Sequence, residues 1–305
     1  MKGEFMKELV LRRCLAGTIA ATLCFCMLGM NESFAASKKA KTPKSKKVTM
    51  SVTDTQIGID ETASVSAKVA PSKASQKVVY SVNNRDVAKV SSKGVITGLR
   101  AGTVKVTAAS KTNPKIKTSK TITVLDLTKA YTNTAERTIT IYARVNGDML
   151  NKTTHHFVVN KDGSNGPKAV LQSELRPAAL YEALVKQGLK PGDNLGIKPA
   201  KGSIIEGDKV DITVAWDENG KVKEVPMSEC VKTQDGTPYK TDMRFGGNIK
   251  TSLSKEWDTG CVTCTFSCWI GIVSNAAYGY GTADIISNAA VLPSGGTLVR
   301  VIYHY

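Results

Sequence analysis

The sequence predicts a multidomain protein in which an all-β sandwich is followed by an α+β domain. Three observations predict it. Residues 48–124 alternate polar and β-branched side chains in seven short runs divided by turn residues. From Glu136 onward such runs continue, but a helical pattern interrupts them at residues 177–188. The chain has 305 residues, 41% hydrophobic and 22% charged, which is enough apolar material for two cores after any leader is removed.

The leader comes first. Lys2, Lys7, Arg12 and Arg13 form a basic start, and residues 15–30, LAGTIAATLCFCMLGM, form an apolar run. Ser33-Phe34-Ala35 offers small residues at a cleavage site after Ala35. The run falls short of the roughly 20 residues of a membrane span. A signal peptide over residues 1–35 is therefore expected, with an extracytoplasmic mature chain in the periplasm, on the cell surface or secreted, and no span after cleavage. Arg12-Arg13 leaves general and twin-arginine export both open.

Residues 36–47 read as a basic linker: SKKAKTPKSKK holds nothing apolar larger than Ala and predicts a mobile tether. Charge is concentrated here and just beyond. Residues 37–125 carry 18 Lys/Arg against 4 Asp/Glu, whereas residues 126–305 are nearly balanced. Such a surface suits anionic cell-envelope polymers or surface glycans as partners. Specific nucleic-acid recognition does not fit an exported chain.

In residues 48–125 the strand runs are VTMSV, ASVSAKV, KVVYSV, VAKVSS, GVITGL, TVKVTA and KTITV. Gly94 and Gly102 flank the fifth and allow tight turns. No cysteine or tryptophan lies in this segment, so Val, Ile and Leu must pack its core. Val79-Tyr80-Ser81-Val82-Asn83-Asn84, Val87-Ala88-Lys89-Val90 and the run from Gly94 to Ala108 resemble a group 2 bacterial immunoglobulin-like domain. Tyr80 stands where that family usually has a tryptophan. The resemblance implies an immunoglobulin-like sandwich that spaces, displays or adheres, and no catalytic residue.

A short hinge is expected over residues 125–134. The α+β domain is expected over residues 135–305, with strands at ERTITIYARV, THHFVVN, KVDITVAW, KVKEVPM and TLVRVIYHY. In the helix PAALYEALVKQG, Pro177 suits the first turn, Leu180, Leu184 and Val185 are placed on one face, and Gly188 ends it.

All four mature cysteines fall in this second domain: Cys230, and Cys261, Cys264 and Cys268 in a C-x2-C-x3-C run. They permit a metal site, zinc or an iron–sulfur cluster, with Cys230 as fourth ligand; two disulfides; or a redox dithiol at Cys261–Cys264. His155 and His156 lie in a strand pattern that sends their rings to opposite faces, so at most one joins the cysteines. Asp162-Gly163-Ser164-Asn165-Gly166 reads as a polar loop or an anion cradle. In Arg244-Phe245-Gly246-Gly247-Asn248, Arg244 and Asn248 are candidate ligand contacts, or the glycines let backbone approach the cysteine loop. Trp257 and Trp269 flank the cluster. No Ser–His–Asp set or phosphate loop is present, so a binding role is favoured over an enzyme and no catalytic residue is assigned.

The motifs from His155-His156-Phe157 through Pro191-Gly192-Asp193-Asn194, Arg244 to Asn248, the three-cysteine run and Gly271-Ile272-Val273-Ser274-Asn275 resemble the YdjY-like domain. That family is described as ferredoxin-associated, and the resemblance raises the iron–sulfur reading of the cysteines to stand level with disulfides. Two functions follow as expectations: a non-catalytic envelope protein for display or adhesion, or an extracytoplasmic redox protein with a metal centre.

Overall fold

The computed structural model describes residues 42–218, 221–252 and 254–305. The expected leader and the first part of the tether lie outside the described residues. The sandwich is built from β1 (Lys47–Val52), β2 (Gln56–Gly58), β3 (Thr62–Ala70), β4 (Val78–Val82), β5 (Ala88–Val90), β6 (Val95–Gly98), β7 (Gly102–Ser110) and β8 (Asn113–Leu125). One sheet runs β1-β3-β6-β5 and the other β2-β8-β7-β4. Alternation does what period two requires: Val104, Val106 and Ala108 of β7 are fully buried, while Lys105 between them is exposed. Ile96 and Ile122 complete this cysteine-free core, with Tyr80 packed half-buried against it. Gly94 is forced. Its φ is +82°, and a Cβ there would stand 2.2 Å from the Val65 carbonyl oxygen.

The seven expected runs all become strands. β2 has no counterpart among them, because three residues are too few to show a period. It pairs parallel to β8. The tether also ends earlier than expected. Ser45 is buried, with its hydroxyl 2.8 Å from that of Ser110 and 3.1 Å from that of Thr112. Lys46 N donates to Ala70 O at 2.8 Å, and Lys47 already belongs to β1. Lysine does not prevent pairing on an edge strand whose outer face is wet.

The second part begins with β9 (Tyr131–Asn133), β10 (Thr138–Val145), β11 (Thr153–Thr154), β12 (His156–Asn160), β13 (Leu171–Ser173) and the helix α1 (Pro177–Lys186). Next come β14 (Asp211–Glu218), β15 (Lys221–Pro226), α2 (Met227–Cys230), β16 (Val231–Thr233), β17 (Met243–Phe245) and α3 (Ile249–Ser252). It closes with β18 (Cys261–Cys264), β19 (Val273–Asn275), β20 (Ile285–Ser287) and β21 (Leu298–His304). The large sheet has the order β15-β14-β21-β10-β13-β12-β18-β19-β17, with β9 paired to β10. A small sheet runs β11-β20-β16. Most pairs are antiparallel; β12–β13 and β18–β19 are parallel.

This part is strand-dominated rather than a balanced α+β domain. Among the described residues, α1 alone exceeds one turn of α-helix. Pro177 opens it as expected, and Leu180 and Leu184 are buried on the sheet. Val185, expected on the same face, is 44% exposed. It lies about 100° around the axis from Leu184, off the buried stripe. The expected hinge is ordered: Leu127 is buried against Gly58, and Tyr131–Asn133 form β9. Arg144 of β10 reaches back across it, its Nε donating to Glu61 Oε1 at 3.0 Å while Nη2 engages Oε2.

Candidate functional site

The site is set by how β12 and β18 pair. The register runs His156↔Cys264, Val158↔Thr263 and Val159↔Cys261, with irregularities on either side of Val158. Regular pleating would place Cys261 and Cys264, three residues apart, on opposite faces. Here Val262 enters the main core and Thr263 bonds the Tyr303 hydroxyl at 2.7 Å, so two successive residues point one way. Cys261 and Cys264 are thereby returned to the other face. β12 does the same: Phe157 and Val158 enter the main core, while Val159 packs with Cys261 and Cys264 and His156 contacts Cys261. A pair of bulges therefore places two thiols and an imidazole together.

The Cys261 sulfur lies 3.6 Å from His156 Nδ1, and one ligand atom from each of His156, Cys261 and Cys264 falls within 4.8 Å of the others. All three residues are buried. Cys264 and Cys268 share one buried cluster with Cys261. Donation from the Cys264 thiol, helped by His156, holds the Cys261 thiol well below its ordinary range despite burial. The same bond, the neighbouring Cys268 and burial keep Cys264 protonated. Asn165 Nδ2 donates to the Cys261 sulfur at 3.6 Å.

Close backbone contacts hold these groups in place. Gly163 has no room for a side chain: a Cβ would stand 2.4 Å from Thr259 O and 2.6 Å from Gly260 Cα. Ser164 N and Asn165 N donate to Asp258 O and Thr259 O, so the polar loop is stitched onto the approach to Cys261. A Cβ on Gly271 would lie 2.8 Å from the Cys264 sulfur. Asn248, buried with φ +49°, donates through Nδ2 to Cys268 O at 3.0 Å and Gly271 O at 3.3 Å. Gly247 N donates to Ile272 O at 3.1 Å, so the glycine pair brings backbone onto the cysteine loop.

The sequence candidates divide accordingly. Cys261, Cys264, Cys268 and His156 converge. Cys230 does not: it packs in the main core at the end of α2, where burial, then Glu229, push its thiol up to about 12. All four cysteines are free thiols. Any two-disulfide pairing would need Cys230 beside one of the other three, and none of them shares its cluster. His155 and His156 do not point to opposite faces. His155 sits in the bend before β12, outside the pleat, and the two rings lie 4.0 Å apart between centroids. Burial, then the neighbouring His156, lower the His155 pKa, against the opposing pull of Asp284. Arg244 is spent on Asp242, at 2.9 and 3.0 Å, and stays away from the cysteines. Asn248 holds the loop rather than facing a ligand. Trp269 is buried beside the cluster in edge contact with Trp257, 5.3 Å between centroids.

Above Cys261 opens a cleft of about 530 Å³, walled by His155, His156, Phe266, Trp269 and Tyr280, with Lys201 and Asp284 at its edge. Phe266, Tyr280 and Lys201 were not among the candidates of the sequence, and Asn165 was a candidate only as part of a polar loop or anion cradle, not as a partner of Cys261. The glycine flanking Asn165 was the one available signal. The segment from Thr259 to Ala283 carries no charged residue, so the donors facing the cleft floor are sulfur and imidazole rather than carboxylate.

A family model for the YdjY domain matches residues 131–304, and one for the bacterial Ig-like domain (group 2) matches residues 36–124. The curated protein named Uncharacterized protein YdjY, from Escherichia coli (strain K12), is 39% identical over 172 residues, 54% of this chain and 74% of the relative. A solved structure described as an EHEC O157:H7 intimin mutant is 12% identical and covers 34% of this chain and 55% of its own, with a TM-score of 0.23.

Proposed function

The chain belongs to the YdjY domain family, and we propose that it is an extracytoplasmic envelope protein whose YdjY domain binds a single thiophilic metal ion on His156, Cys261 and Cys264. The Ig-like domain is its carrier and display module. The observation that carries this reading is the convergence of three buried donor atoms within 4.8 Å. The donors fit such an ion. Bonds of about 2.3 Å to sulfur and 2.0 Å to nitrogen in tetrahedral geometry imply a sulfur–nitrogen edge of roughly 3.5 Å. The Cys261–His156 separation is 3.6 Å. Two thiolates and an imidazole suit zinc or another soft ion, and a depressed Cys261 thiol is already disposed to bind one. An all-cysteine iron–sulfur cluster fits less well, because Cys230 lies apart from the other three thiols.

Extracytoplasmic placement is supported by the group 2 Ig-like match. No helix among the described residues is long and apolar enough to cross a membrane. The leader over residues 1–35 supplies export in this reading, and the basic Ig-like domain meets anionic envelope polymers.

The test is metal and thiol analysis of the mature chain purified anaerobically. About one ion per chain is expected from three protein donors on one centre. The ion should be lost in Cys261→Ser, Cys264→Ser and His156→Ala and retained in Cys230→Ser. A folded chain that takes up no zinc, cobalt or iron at micromolar concentrations overturns the reading.

A further inference from the structure

The cleft over the thiol site has walls of one kind. Tyr280 at the rim lies 5.8 Å from Phe266, Phe266 lies 5.0 Å from His155, and His155 lies 4.0 Å from His156, all between ring centroids. The rings form a chain of edge-on and tilted contacts that ends at His156, whose Nδ1 lies 3.6 Å from the Cys261 sulfur. Polarisable aromatic walls select flat π-systems over saturated groups of equal size, because offset and edge-on ring contacts add to simple burial.

The charges at the opening are unequal in availability. Asp284, also at the edge, lies 3.6 Å from His155 Nδ1. Lys201 is exposed at the cleft edge and makes no ion pair among the described residues. Its position is built rather than incidental. Gly202 N donates to Tyr280 O at 2.9 Å, and Tyr280 N donates to Ser203 O at 2.8 Å, so the lysine loop is laced to the tyrosine that forms the rim. Gly279 makes this possible, since a Cβ there would stand 2.5 Å from Gly202 O. The loop that carries Lys201 is thus held beside an aromatic cleft whose floor carries no acid.

We propose that this cleft binds a small planar aromatic anion, its ring packed against the wall of Phe266, His155 and Tyr280 and its acidic group on Lys201. A volume of about 530 Å³ accommodates one or two fused rings with substituents and lies within the range of small-molecule sites. The inference rests on the reading above for the identity of the site, since the ligand lies over the His156–Cys261 face. It does not require the metal for affinity.

Calorimetric titration of the full mature chain tests it, metal-free and zinc-loaded, with three probes. 2-Naphthoate has ring and charge, naphthalene-2-carboxamide has the ring alone, and cyclohexanecarboxylate has the charge alone. The metal-free chain should bind 2-naphthoate at least tenfold more tightly than either control, and binding should slow iodoacetamide modification of Cys261. Lys201→Ala should reduce naphthoate affinity about tenfold and leave the carboxamide unchanged. Phe266→Leu should weaken both ring-bearing probes. Equal affinity for the three probes, or no binding to either form, overturns the proposal. So does binding that requires zinc and ignores Lys201→Ala, since the carboxylate would then be read by the ion. Failure of the metal reading shows separately, as a chain that binds naphthoate but takes up no zinc.

Discussion

The Asn248 side-chain amide and the Cys268 carbonyl are joined across 20 residues of chain by a 3.0 Å hydrogen bond that is fully buried. The same amide serves Gly271 O, so one side chain closes the loop that carries the third thiol. Asn248→Ala leaves Gly271 O without its donor and Cys268 O with only the long 3.5 Å bond from Ser274 Oγ, and puts alanine at a positive φ. Destabilisation of roughly 2–4 kcal/mol is expected. Urea unfolding followed by tryptophan fluorescence measures it. Asn248→Gly relieves the backbone but not the carbonyls, so it should recover only part of the loss. Full recovery would assign the role of Asn248 to its backbone alone.

Gly163→Ala should disturb Cys261 without touching it. The added methyl meets the Thr259 carbonyl, which is backbone and cannot swing aside. The loop must lift, drawing the Asn165 amide off the Cys261 sulfur. A cost of about 1–3 kcal/mol is expected from the steric insertion. The specific readout is the pH dependence of Cys261 alkylation: loss of a donor to the thiolate should move its midpoint upward.

Cys230 predicts an alkaline effect. Its thiol titrates at about 12 in the fold against an ordinary value of 9.0, because burial opposes the charged form. The folded pKa is raised, so the contribution to stability is fully present below pH 9 and is lost as pH climbs toward 12. Cys230→Ala should flatten the fall in unfolding free energy over that window, whatever it does to stability at pH 7. An unchanged slope would show that another group is responsible. Native protein should also leave Cys230 unmodified by iodoacetamide at pH 8.

The pair Glu61–Arg144 links the sandwich to β10 with side chains only partly exposed, 26% and 38%. A bidentate pair of this exposure contributes about 1 kcal/mol. Arg144→Ala should lower the temperature at which the two parts unfold together and increase their relative motion in small-angle scattering. If the melting profile and scattering are both unchanged, Leu127 and its neighbours suffice to hold the parts.

Retention of the mature chain on an immobilised anionic polymer should fall steeply between 0.1 and 0.5 M salt, since the screening length shrinks from about 10 Å toward 3–5 Å. Retention that is insensitive to salt would contradict a charge-driven partner for the Ig-like domain.

The sandwich was legible because its strands are long enough to display period two, and because one face is wet and one dry. The second part was legible where the same condition holds, as in β10, β14, β21 and α1. It was illegible where two successive residues share a face. Parity separates His155 from His156, and the bend at His155 cancels that assignment; the grouping of Cys261 with Cys264 was read from their spacing, but the bulges at Val262–Thr263 that produce it were not. Cys230 counts as a fourth thiol in sequence, but only packing reveals that it faces another core. Asn165 and Lys201 enter the site through loop-to-loop hydrogen bonds, which leave no periodic trace.

The Arg144 grip on Glu61 has a mechanical meaning. Glu61 immediately precedes β3, which pairs with β1, so a pull on β1 loads the strand next to it first. The guanidinium hands that load to β10, whose neighbour β13 adjoins the strand bearing His156. Load on β1 would thereby arrive two strands from the imidazole and thiol pair.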